Sequence, residues 1–185
     1  PTRHRLLKRA VAALAGDEEG RALLEPMLTP RAPQRARYEA ALDLCGFVPA
    51  AADVLIVLHG SVDRVLQLRG VRALARDRTP SVDAFLERLH GEDGPFEVRG
   101  AALEVLAEHG QVGVLSRALQ DGDFELRLTA LDRLAGLEGG AEILRRALDQ
   151  RLASEPFARM DEFEGSEVLD LLRALARHGP VPDAL

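Results

Sequence analysis

Leucine recurs at one helix position along most of the chain, and that recurrence limits the folds open to it. Leu14, Leu44, Leu74, Leu106 and Leu134 are separated by 30, 30, 32 and 28 residues. Four positions before each stands a small residue: Ala10, Ala40, Gly70, Ala102 and Ala130. Next to those come Val11, Ala41, Val71, Leu103 and Leu131, and directly after each Leu come Ala15, Cys45, Ala75, Ala107 and Ala135. Spacings of three and four residues mark one apolar side of a helix. A small residue at a fixed position lets a neighbouring helix come close, and Leu fills the gap that opens beside it. Cys45 occupies an Ala column, so it reads as a small buried apolar residue rather than a reactive thiol.

A second apolar segment follows each of these helices, with anchors four apart: Leu24 and Leu28, Val54 and Leu58, Phe85 and Leu89, Leu115 and Leu119, Leu144 and Leu148. Breaks fall at Gly16-Asp17, Phe47-Val48-Pro49, Thr79-Pro80, Gly110 and Gly139-Gly140. Pro49 and Pro80 cannot continue a preceding helix, and Thr79 or Ser81 suits a cap for the next one. A sixth helix of the first kind carries Val168, Leu172, Leu175 and Ala176, after an insertion at 151–165. Nothing reads as a strand. The pattern predicts about eleven helices in antiparallel pairs, with repeats at 1–30, 31–60, 61–92, 93–120, 121–150 and an irregular 151–185. Such units are stabilised by stacking on their neighbours.

The clearest internal copy is Asp93-Gly-Pro-Phe-Glu-Val-Arg99, which returns as Asp121-Gly-Asp-Phe-Glu-Leu-Arg127. Asp93 and Asp121 suit a cap or turn, and Glu97 and Glu125 suit the positive first turn of a helix. On these residues the chain resembles the HEAT-repeat family, in particular the short bacterial type named after phycobilisome bilin lyases. Residues 93–121 and 121–149 carry the motif, 1–92 share its periodicity, and 150–185 match in part. The resemblance implies an all-α fold: one right-handed α-solenoid of about five helical pairs and a closing helix. It also implies an Arg column at Arg37, Arg99 and Arg127, interrupted by Leu7, Gln67 and Val168. The Val-Arg helices would line a concave side, running from basic near Arg5, Lys8, Arg9 and Arg37 to acidic near Glu97, Glu104 and Glu108.

Composition narrows the function. Four of the five histidines precede glycine (His59, His90, His109 and His178), which reads as a helix stop rather than a metal site. No His pair has ligand spacing, and no His-Glu dipeptide occurs, which argues against the family's di-iron hydroxylases. The serines and threonines show no nucleophile elbow, and no glycine-rich phosphate loop is present. Asp161-Glu-Phe-Glu164 lacks calcium-loop spacing. No cofactor is expected. With a net charge of −6 and no Trp, the chain is poorly suited to neutralising phosphates.

A single cysteine and the lack of an 18-residue apolar run point to a reducing, cytoplasmic setting with no membrane span. The N-terminal Pro-Thr-Arg-His-Arg lacks the apolar block of a signal peptide. The missing initiator Met points to processing or to a cut from something longer.

Two features favour a protein partner. The segment Ala50-Ala-Ala-Asp-Val-Leu-Ile-Val-Leu58 is apolar on nearly every side, so Ile56 or Val57 is either offered to a partner or covered by adjoining repeats. The insertion places Phe157, Met160 and Phe163 among acidic residues, either as a docking element or as a loop closing the core. The expectation is a non-enzymatic scaffold that binds a protein partner. The alternatives are a DNA-glycosylase-like nucleic-acid binder and a bilin-lyase-like enzyme. A concave pocket with a carboxylate beside an aromatic and basic residues on both rims would favour the enzyme.

Overall fold

The structure, a computed structural model, describes residues 15–91, 94–154 and 162–177. These residues are all-α: ten α-helices and three short 3-10 turns, with no strand among them. In chain order α1 is Glu18–Leu24, α2 Gln34–Leu44, α3 Pro49–Leu58, α4 Arg64–Ala73 and α5 Pro80–Gly91. Then come α6 Phe96–Glu108, α7 Val112–Ala118, α8 Phe124–Leu134, α9 Gly140–Ser154 and α10 Glu162–Ala176. The 3-10 turns Glu25–Leu28, His59–Ser61 and Leu74–Arg76 continue α1, α3 and α4.

Local chemistry sets the helix starts. Asp17, Asp63 and Asp123 cap α1, α4 and α8, their carboxylates accepting from the backbone N–H of Gly20, Leu66 and both Glu125 and Leu126. Each bond satisfies a donor that the first helical turn leaves open. Asp121 is therefore the turn residue and not the cap: its carboxylate accepts from the Asp123 N–H at 2.9 Å. Asp93 lies outside the described residues. Pro49 and Pro80 open α3 and α5, where a missing N–H costs nothing.

The stops differ from the His-Gly expectation. Only His109-Gly110 ends a helix through a left-handed glycine, at φ +78°. There the Gln111 N–H reaches the Leu106 carbonyl and the Gly110 N–H reaches Ala107, both at 2.9 Å. Gly60 lies inside a 3-10 turn and Gly91 is the last residue of α5, so neither needs a left-handed backbone. The other left-handed glycines are Gly46 and Gly139. His178 lies outside the described residues.

The chain forms two compact units, Pro1–Val105 and Leu106–Leu185. In the first, α2 packs on α3 and on α4, and α3 packs on α5. In the second, α8 packs on α7, α9 and α10, and α9 packs on α10. Leu44, Leu74, Leu106 and Leu134 are all essentially inaccessible to solvent, and full burial stabilises each by roughly 2 kcal/mol. Leu14 lies outside the described residues. Ala40, Gly70, Ala102 and Ala130 are buried as well.

Gly70 shows why that column is small. A Cβ there would stand 1.8 Å from the Tyr38 hydroxyl, so the ring on α2 and a side chain on α4 cannot share the space. In α10 the buried residues are Val168, Leu171, Ala174 and Leu175, while Leu172 is half-buried and Ala176 exposed. The packed face is thus rotated slightly from the expected one.

Candidate functional site

The arginine column is structural. Arg37 Nε donates to the Leu28 carbonyl at 3.3 Å, and Arg99 Nε to the His90 carbonyl at 2.8 Å. Arg127 Nη1 donates to the carbonyls of Asp121 at 2.8 Å and Gly122 at 3.3 Å. The Leu28 and His90 acceptors lie at the end of the preceding helical segment, where carbonyls have lost their intrahelical donors and a cation meets the negative end of the helix, whereas Asp121 and Gly122 lie in the turn that leads into α8. The expected interruption at Gln67 does not occur: Gln67 Nε2 donates to the His59 carbonyl at 3.1 Å. The position requires a donor long enough to reach the carbonyl, and an amide meets that requirement without a charge. Val168 is buried and brings no donor.

The second unit holds a cleft of about 730 Å³. Phe124, Leu128 and Leu131 of α8 line it together with Ala147 of α9 and Leu171 of α10. Along α8 these positions are spaced by four and three residues, so one helix side faces the opening. Gln150, Arg151 and Ser154 come from the end of α9, and Glu167 and Asp170 from α10.

The cleft's charges are organised around Glu167. Arg127 Nε and Nη2 reach Glu167 Oε1 at 2.8 and 2.6 Å, and Arg151 Nε stands 3.9 Å from Oε2. The Arg127 guanidinium also lies over the Phe124 ring, 5.5 Å from its centre, a favourable cation–π distance. Asp170 accepts from Arg173 through Oδ1 at 2.9 Å. Arg127 is therefore held by the turn carbonyls of Asp121 and Gly122 on one side and a carboxylate on the other, which fixes the shape of the wall.

None of the described side chains singled out by sequence as partner-binding lines this cleft. Arg5, Lys8, Arg9 and Phe157 lie outside the described residues, as does the side chain of Phe163. Arg37 is half-buried and donates to Leu28. Glu97 is exposed and ion-paired with Arg64. Glu104 is half-buried and Glu108 exposed in the second half of α6. Val57 is 74% exposed and its neighbour Ile56 half-buried.

Sequence reading missed Arg127 as a cleft residue, and with it Leu128, Glu167 and Asp170. The available signal was the position of Glu167 directly after the insertion that breaks the period. Among the described residues, no group of three His, Cys, Asp or Glu side chains is placed to hold a metal ion. No helix there is long and apolar enough to cross a membrane.

Tyr38, Cys45, His59 and His90 are the buried titratable groups described in the first unit, and the first two are clearly shifted. Cys45 is fully buried and free, and burial is the main cause that pushes its thiol from 9.0 up to about 11. Asp77 adds to the rise, while Arg76 and the Gly46 backbone oppose it. Burial also pushes the Tyr38 phenol well above its ordinary 10.0, against an opposing Arg69 charge. Both groups are held neutral, the opposite of an activated nucleophile. No model of a known protein family matches the chain, and no curated protein matches it at a significant level.

Proposed function

We propose that this chain is a non-enzymatic protein-interaction module built of HEAT-like helical pairs in an α-solenoid, with the cleft of the second unit as its docking site. Two features support the repeat architecture. Helices two apart in sequence pack together, α2 on α4 and α3 on α5 in one unit and α8 on α10 in the other. The side-chain bonds from Arg37, Gln67, Arg99 and Arg127 to carbonyls between one helix and the next or at the earlier helix's end recur at intervals near the sequence period.

The observation that carries the function is the cleft itself: an apolar floor with a polar rim, the surface a partner's side chains can fill. Affinity capture from the native cell tests it. The wild type should recover a protein that Leu128→Asp fails to recover at equal helicity, and equal recovery by the two would overturn the reading.

One observation favours a nucleic-acid enzyme: the cleft does hold a carboxylate near an aromatic, Glu167 and Phe124, with Arg127 and Arg151 beside them. Its electrostatics weigh against that alternative. Glu167 is neutralised by Arg127, whose donors are already engaged. Residues 106–185 carry nine Arg against fifteen Asp and Glu, which repels a phosphate backbone. A captured partner that disappears on nuclease treatment would restore the nucleic-acid reading.

A further inference from the structure

We infer that the cleft of the second unit accepts a basic amphipathic helix of the partner, an inference that rests on the docking reading above. The argument is an accounting of donors and acceptors. Arg127 uses Nε and Nη2 on Glu167 and Nη1 on two carbonyls. Arg151 Nη1 donates to Ser154 Oγ at 3.2 Å. Arg127 is thus committed to the protein's own acceptors, and Arg151 is drawn toward Ser154 and Glu167, so an anionic ligand would have to compete with internal acceptors at both.

Acceptor capacity remains. Glu167 Oε2 stands 3.9 Å from Arg151 Nε, beyond hydrogen-bond length, and Asp170 meets Arg173 through Oδ1. An ionised carboxylate has about four lone-pair sites, so each can accept more. With a net −6 on residues 106–185, the complementary ligand is a donor-rich cation.

The apolar floor sets the shape of the ligand. Phe124 to Leu131 spans seven residues of α8, about 10 Å at the helical rise. Two anchors four residues apart on a partner helix stand about 6 Å from each other, which fits that length. An extended strand would offer its edge hydrogen bonds to a helical wall whose backbone groups are already paired. Leu or Phe at i and i+4, flanked by Lys or Arg, is the pattern the cleft selects.

The test uses the full chain and labelled synthetic peptides of about 16 residues, read by fluorescence anisotropy. One peptide carries Leu at i and i+4 on a Lys-rich helix. A second replaces every Lys by Glu, and a third shifts one Leu to the opposite side. The first should bind at least about tenfold tighter than either of the others. Leu128→Asp should weaken it by about tenfold or more, and Gln150→Lys, at an exposed rim position, by about threefold.

Leu169→Asp is the control: Leu169 is 44% exposed on α10 and does not line the cleft. It should leave affinity unchanged. Equal binding of the Lys and Glu peptides, or Lys-peptide binding indifferent to both Leu128→Asp and Gln150→Lys, would overturn the inference. So would the absence of peptide binding, while a partner captured through Leu128 would leave the docking reading standing.

Discussion

The two units handle charge in opposite ways. Residues 1–105 hold fifteen Lys and Arg against fifteen Asp and Glu, whereas residues 106–185 carry the whole net charge of −6. The balanced unit keeps the two groups with raised pKa values, Tyr38 and Cys45, sealed in its core and neutral. The acidic unit places Arg127, Arg151, Glu167 and Asp170 around a cleft, where Arg127 and Arg151 face Glu167. Burial suppresses the ionisation of Tyr38 and Cys45 even against the opposing charges of Arg69 and Arg76. One all-α chain thus yields a packing unit with sealed titratable groups and a unit whose charges line a cleft, according to where titratable side chains fall on the helices.

The largest effects should come from a helical glycine in each unit that has no room to grow, Gly70 in the first and Gly140 in the second. At Gly140 a Cβ would stand 1.9 Å from the Leu134 carbonyl oxygen, so α9 cannot start there without disturbing the end of α8. Gly140→Ala should cost roughly 3 kcal/mol or more in urea unfolding. Gly70→Ala meets a side chain instead, the Tyr38 hydroxyl, with the ring carbon behind it at 2.8 Å. Adding Tyr38→Phe should therefore return part of the loss at Gly70, while nothing on a side chain can relieve Gly140. A double variant no more stable than Gly70→Ala alone would erase this difference between the units.

A smaller effect separates them by pH. The Cys45 thiol has a folded pKa of about 11 against an ordinary 9.0. Below the lower value both folded and unfolded chains hold the proton, and the contribution to stability is fully present. Between the two, the unfolded chain releases a proton that the folded one keeps, so stability falls as pH rises. Above the higher value both are ionised and the contribution is gone.

The loss amounts to about 2 to 3 kcal/mol, the equivalent of that shift. Cys45→Ala should be flatter than wild type across this window in pH-dependent urea melts. Identical slopes would mean that the thiol does not titrate against its buried site. The Tyr38 contribution begins to fall only above the ordinary phenol value of 10.0.

How much of this was legible in sequence depends on the range of the interaction. The buried Leu and Ala columns follow from helical periodicity, a local signal, and Leu44, Leu74, Leu106 and Leu134 are packed as that signal requires. Arg37 was expected on a concave binding surface because the family resemblance implies that the Val-Arg helices line it. Its donor instead turns back onto a helix-end carbonyl nine residues earlier, a use that Gln67 shares and that residue type alone does not reveal. The Arg127–Glu167 pair spans 40 positions across the insertion that breaks the register, so no period connects its two ends. The described His-Gly pairs do mark helix stops, at His59, Gly91 and His109, but sequence does not reveal how each stop is built, because Gly60 continues a 3-10 turn and Gly91 ends a helix without turning left-handed.

The smallest effect is the most diagnostic of the packing unit. Tyr38 is completely buried on α2, and its hydroxyl has no hydrogen-bond partner among the described residues. A buried hydroxyl that hydrogen-bonds loses stability when trimmed to Phe; one left unsatisfied has given up its water for nothing. Tyr38→Phe also removes the atom that crowds Gly70, without opening a cavity large enough to matter, since the ring stays in place. The variant should therefore be unchanged to about 1 kcal/mol more stable in urea unfolding at neutral pH. A loss of comparable size would mean that the hydroxyl is satisfied by ordered water, and that the core of the first unit admits solvent at the α2–α4 contact.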